Sequence, residues 1–156
     1  MRSERDEGGR IRLAGLDLVV ADTILRIPRL LRCEDPEVRE RLFPPACDDE
    51  EEERQWRRLA GTELEHLYLS QGEVVRKDLA NLTQAGEGEF ALPLPEEHRA
   101  AWLAALNAAR LTLYILHDLR PGDMEAGDIA EVEPEKEMAL VRIHIMAYLQ
   151  ELLIQA

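Results

Sequence analysis

Aromatic residues are scarce in this sequence: two Phe, two Trp and three Tyr among 156 residues. A core with so few rings has to be built from Leu, Ala, Ile and Val, a composition that favours helices over strands. Cysteine is rarer still. Cys33 and Cys47 are the only two and form no CxxC pair, which argues against a zinc framework. They read as reduced thiols, with a disulfide across the short intervening loop as the alternative. Basic charge is also short, 19 Lys and Arg against 32 Asp and Glu, for a net charge of -13. Such a field repels the phosphates of nucleic acids and anionic membrane surfaces, so neither is expected as a partner, whereas a basic protein or a cation is compatible with it. Long apolar runs are missing too. The two most apolar stretches, Leu13 to Ala21 and Met138 to Leu153, are interrupted by Asp17 and by Arg142, His144, Gln150 and Glu151, so neither reads as a membrane span.

The inventory of catalytic motifs is equally thin. There is no phosphate-binding glycine loop, nucleophile elbow, HExxH or dinucleotide fingerprint. Ser3, Thr23, Thr62, Ser70, Thr83 and Thr112 are the only hydroxyl residues of their kind, and none has a recognisable activating partner. Enzymatic activity is therefore not expected, and no cofactor is called for.

What is present is helical periodicity. Residues 1–9 read as a charged, disordered leader without the apolar stretch of an export signal, which points to a cytoplasmic protein. Residues 10–156 read as a single domain. Arg10 to Gly15 alternates as a short strand does. From Leu16 to Arg32 the apolar residues fall at helical spacing, with a kink or break expected at Pro28. Asp35-Pro36-Glu37 is a helix start. The acidic run Asp48 to Glu53 reads as a solvated first turn leading into Trp56-Arg57-Arg58-Leu59. Thr62 and Glu65 have capping-box spacing, so a break is expected near Gly61, before a helix whose face runs through Leu64, Leu67, Tyr68, Val75 and Leu79. Gly86 to Leu94 reads as a turn and an extended edge segment able to pair with the Ile11 strand. Pro95 opens a central helix to about Leu119, striped by Trp102, Leu106, Ala109, Leu113 and Leu116. After an acidic loop at 120–133, a last helix carries Met138, Val141, Ile145, Leu149 and Leu152 on one face. That broad apolar helix would suit either a homodimer contact or a terminus packed into its own core. The expectation is a mainly α fold, a single helical bundle of about five segments with a small two-stranded β element.

Two polar constellations invite a chemical reading. Glu63 and His66 have the Glu-x-x-His spacing of carboxylate-bridged metal bundles. No other histidine has a glutamate three residues before it, so the second half of such a site is absent and a surface pair is the better reading. The central helix also carries Asn107, Arg110, Tyr114 and His117, and the last helix carries His144, Tyr148, Glu151 and Gln155 at similar steps. If the stripes face one another, Arg110 pairs with Glu151, with Asn107 and Gln150 completing the hydrogen bonds. Such a network fixes helix register, or it lines a binding site.

The order Leu42-Phe43-Pro44, Trp56-Arg57-Arg58-Leu59, Trp102-Leu103-x-x-Leu106-Asn107-x-x-Arg110-Leu111-x-Leu113 and Tyr148-Leu149-Gln150-Glu151-Leu152 resembles a bacterial family, domain of unknown function number two thousand and seventeen. The resemblance spans nearly the whole chain from Ile11. It supplies no catalytic residues. It implies an accessory or regulatory role in protein turnover, because members of that family in actinobacteria are often encoded beside the ClpS adaptor of the Clp protease. The sequence thus points to a non-enzymatic protein-interaction or regulatory module, linked through that neighbourhood to Clp-type proteolysis. The alternative is a helical bundle that binds a small ligand or a metal, with Arg110, Tyr114, His144 and Glu151 around it.

Overall fold

In the computed structural model, which describes residues 1–6, 8–125 and 134–156, the alternation at Ile11 does form a strand, β2 (Ile11–Leu16). Its partner is the segment after Gly88, β4 (Glu89–Leu94), paired antiparallel with Ile11 opposite Leu94 and Leu13 opposite Leu92. Those four side chains are fully buried, as is Leu16. A strict period of two would turn Leu16 away from the face that holds Ile11 and Leu13. A one-residue bulge between Leu13 and Leu16 resolves this, with Gly15 at φ +66° supplying the left-handed backbone.

The sheet has four strands, not the two expected. The order is β1-β2-β4-β3, all antiparallel, with β1 at Arg2–Arg5 and β3 at Thr83–Gly86. The strand at Arg2–Arg5 corrects the reading of residues 1–9 as a disordered leader. The strand is polar throughout and carries no apolar alternation: Ser3 and Glu4 of β1 are half-buried while Arg2 and Arg5 remain exposed, a pattern suited to an outer strand. The edge position inferred for β4 from its proline is also corrected, since β4 is interior. Pro93 is tolerated there because β3 reaches only as far as Thr83 opposite Ala91, leaving Pro93 with β2 alone as a neighbour.

The helices follow the capping chemistry closely. The Asp17 side chain accepts a hydrogen bond from Val20 N at 2.9 Å and starts α1 (Leu18–Leu25). Pro28 occupies the second position of α2 (Ile27–Leu30), where its missing N–H is harmless, so the expected break falls at Arg26. Asp35 caps α3 (Pro36–Leu42) through Glu37 N and Val38 N. Asp49 caps α4 (Glu50–Trp56) through Glu51 N and Glu52 N.

At Gly61 the structure departs from expectation. No break occurs; a π-helical turn over Arg57–Gly61 carries α4 directly into α5 (Thr62–Leu79). Gly61 is helical, no side chain caps α5, and Glu65 reaches outward to Arg39 on α3. The capping box is not used because the preceding residues never leave the helix.

A short 3₁₀ turn at Glu96–His98 leads into α6 (Arg99–Leu116), then α7 (Pro121–Glu125) and α8 (Pro134–Gln155). The rest of the 120–133 loop lies outside the described residues. On α6 the buried residues include Trp102, Leu106, Ala109 and Leu113 as expected, together with Ala105 and Ala108. Leu116 ends the stripe exposed. The face of α8 is corrected: Ala139, Leu140, Ile143, Met146, Leu149, Leu152 and Leu153 are buried, while Met138 is exposed. This helix is apolar on several sides over 138–149, so periodicity alone does not choose a face. Its contacts with α1, α6 and β1 do. The fold is mainly α, as expected. It is not a pure bundle, because α1 and α5 also pack on the sheet.

Gly15→Ala should lower stability by about 1–2 kcal/mol, the cost of a left-handed backbone with a Cβ. Gly86→Ala, at an ordinary φ and with its nearest neighbouring atom at 3.8 Å, should be neutral or stabilising. Urea denaturation of the two variants checks the contrast.

Candidate functional site

The polar stripes read from the sequence come together only in part. Arg110 on α6 does reach α8, but its Nη1 donates to Gln150 Oε1 at 2.6 Å, and Gln150 Nε2 donates to the Leu103 carbonyl at 3.1 Å. Gln150 therefore has the role assigned to Glu151. Glu151 lies one helical position away, exposed, accepting from Gln155 Nε2 at 3.1 Å. Asn107, Arg110 and Tyr114 line a small cavity of 220 Å³ with Leu111 and Ile143. His144 and Tyr148 are exposed on α8, and His144 Nδ1 donates to the carbonyl of Leu140 one turn earlier at 2.8 Å. His117 belongs to a different concavity, among arginines of the Arg26–Arg32 segment, α5 and α8.

One cluster had no signal in the sequence. Asp78, near the end of α5, is 4% exposed. Its carboxylate accepts from Trp102 Nε1 at 2.9 Å and from His98 Nδ1 at 2.9 and 3.0 Å. A carboxylate only accepts, so the proton of each bond belongs to the ring nitrogen. A buried charge demands such partners. The residues are 20 and 24 positions apart in the chain, beyond the reach of any local pattern.

The most unusual region is the helical rod of α4, the π turn and the first half of α5. From Glu50 to Ser70 no residue is buried. Yet this stretch displays Leu59, Leu64, Leu67 and Leu69, and Leu59 is 79% exposed. The buried residues of α5 begin only at Gly72 and continue with Val75, Asp78 and Leu79. The π turn adds a residue to the helical path, which rotates everything before it by about 100° relative to an uninterrupted α-helix. Trp56 thereby shares an open groove of 820 Å³ with Phe43, Pro44, Pro45 and Leu64.

The rod is held at its base by a few contacts. Phe43 packs edge-on against Tyr68 with ring centroids 5.2 Å apart, and Arg39 lies 5.5 Å over the Phe43 ring. Burial pushes the Tyr68 phenol up to about 12, with a smaller upward contribution from Cys33, opposed by Arg39. Glu53 accepts from the backbone N–H groups of Ala46 and Cys47 at 2.8 and 2.9 Å and from Arg57 Nε at 2.6 Å. The Cys47 N–H foremost, with that of Ala46 and the Arg57 guanidinium, holds the Glu53 carboxyl below its ordinary range against desolvation. Within the acidic run, Glu53 thus ties down the Pro44–Cys47 loop, and Asp49 caps the helix. Glu50, Glu51 and Glu52 stay exposed and leave the rod acidic at its N-terminal end.

Among the described residues no helix is long and apolar enough to cross a membrane. The model of the family described as domain of unknown function DUF2017 matches residues 5–156, and the chain belongs to that family. No curated protein and no solved structure matches it.

Gln150→Ala removes the acceptor of a partly buried guanidinium and should cost about 1–3 kcal/mol. Glu151→Gln should stay within about 0.5 kcal/mol of the parent, as exposed substitutions do. Comparing the denaturation midpoints of the two variants tests which residue supports Arg110.

Proposed function

For this member of the DUF2017 family we propose a protein-interaction module, with the rod from Glu50 to Ser70 as its docking element. One observation carries the reading: a helical stretch that displays four exposed leucines and has no fully buried residue among its own. Helices of globular proteins draw most of their stability from packing an apolar face. This one has its apolar residues free to do so with another molecule, in the manner of a helix laid into a partner's groove. Leu64 and Leu67 are one turn apart and therefore neighbours on the helix surface. The groove at Trp56, Phe43 and Pro45 extends the apolar area beside them. The acidic end of the rod selects the partner's charge. Glu50, Glu51 and Glu52 favour an apolar surface with a basic rim, and the net charge of -13 favours the same at long range.

A regulatory role is the finer reading. The neighbourhood with the ClpS adaptor that the family resemblance implies supports a partner in the Clp proteolytic system, where a module that docks a basic-rimmed surface would modulate assembly or substrate choice.

Leu59→Lys with Leu67→Lys replaces two exposed leucines and should leave the denaturation midpoint almost unchanged. Affinity purification from the native host with the parent and the double variant tests the proposal. A defined protein retained by the parent, and retained at least about tenfold less by the variant, is the expected outcome, since an interface anchor contributes on the order of 1–2 kcal/mol. Equal retention by both chains, or no protein above background with the parent, would overturn it.

A further inference from the structure

A second concavity lies on another side of the chain, between α1, α2 and the C-terminal ends of α5 and α6, with α8 closing it. It encloses 970 Å³ and is lined by Arg26, Arg29, Arg32, Arg76, Arg142 and His117, with no acidic residue in its walls. In a chain of net charge -13, five arginines on one concave surface are far from the average distribution. Arginine near a helix C-terminus balances the helix dipole, which would account for Arg29 and Arg76 singly. It does not account for five converging on one surface from the Arg26–Arg32 segment, α5 and α8.

The local ion pairs leave most of this charge available. Asp22 accepts from Arg26 Nε and Arg142 Nη2, both at 2.8 Å and both on the same oxygen. Glu73 accepts a bidentate pair from Arg76 and has Arg32 at 3.6 Å. Two carboxylates at the rim thus serve four guanidinium groups, and Arg29 has no ion-pair partner among the described residues. The surplus is three positive charges. Arg142 is the most deeply set, with a side chain 19% exposed and its Nε buried without a hydrogen-bond partner among the described residues. The floor is apolar, formed by buried Leu79 and Leu113 with exposed Leu25 and Leu116 at its margins.

We propose that this cleft binds a small amphipathic oxyanion, a phosphate- or carboxylate-bearing molecule whose apolar body lies on the leucine floor. Guanidinium forks match the geometry of phosphate and carboxylate oxygens. Asp22 and Glu73 hold the flanking arginines in place, so little side-chain freedom is lost on binding. The volume falls within the range of small-molecule clefts, about 300–1,000 Å³. Neither the rod nor its apolar groove shares any of these residues, so the proposal stands apart from the docking function.

Phenyl phosphate is a suitable probe, since it joins a dianionic head to an apolar ring. It should raise the Tm of the full chain by roughly 3–6 °C at about ten times its dissociation constant. Inorganic phosphate should bind more weakly. Arg29→Gln and Arg76→Gln, both at exposed positions, should each weaken phenyl phosphate binding by about tenfold or more in calorimetric titration. Arg10→Gln, outside the cleft, should leave it unchanged. The proposal is overturned by no Tm shift at millimolar probe, or by binding that survives both cleft substitutions. Equal binding of inorganic phosphate would remove the leucine floor from the recognition. A glutamate-rich peptide that binds where phenyl phosphate does not would reassign the cleft to an acidic protein segment.

Discussion

The carboxylate of Asp78 is the fixed point on which the arrangement of the helices depends. It is almost fully buried, so it requires hydrogen-bond donors, and it finds them in Trp102 and His98. Both donors belong to the segment that opens the central helix. The contact therefore locks the C-terminal end of α5 to the start of α6 in one rotation and one register. Removing Asp78 would leave the buried Trp102 Nε1 without its acceptor, and removing Trp102 or His98 would take a donor from a buried carboxylate, which is why such a cluster specifies geometry more sharply than apolar packing does.

Much of the surface follows from that lock. With the last turns of α5 held against α6, Gly72 sits under Leu31, whose Cδ2 would lie 3.2 Å from a Cβ at that position. Arg76 is directed to the cleft shared with α2 and α8. The first half of α5 then continues past the edge of the core, and α4 and the π turn extend it. The core ends where this rod begins, because the buried residues of α5 all lie between Gly72 and Leu79. Its leucines are exposed as a geometric consequence of where the helix is clamped.

Charge is distributed with the same economy. Acidic residues gather at the N-terminal end of the rod, whereas arginines from the Arg26–Arg32 segment, α5 and α8 converge on a single cleft. A net charge describes neither surface. The chain carries an acidic helical end and a positive concavity, two surfaces whose fields favour molecules of opposite charge.

The sequence by itself determined the elements whose cause is local. The cap at Asp35, the break before Pro28, the strand alternation at Ile11 and the apolar stripe through Trp102 and Leu106 all rest on residues within a turn or a strand of one another. Family membership was legible as well, in the order of short motifs along the chain. Tertiary structure decided the rest. Whether Thr62 starts a helix depended on whether Gly61 had left one, and the π turn kept it inside. Gln150 rather than Glu151 meets Arg110 because one residue of rotation, about 100°, separates an inward side chain from an exposed one. The Asp78 cluster and the arginine cleft join residues that are distant in the chain. A pairing across such distances is fixed by how helices pack, and no local spacing encodes it.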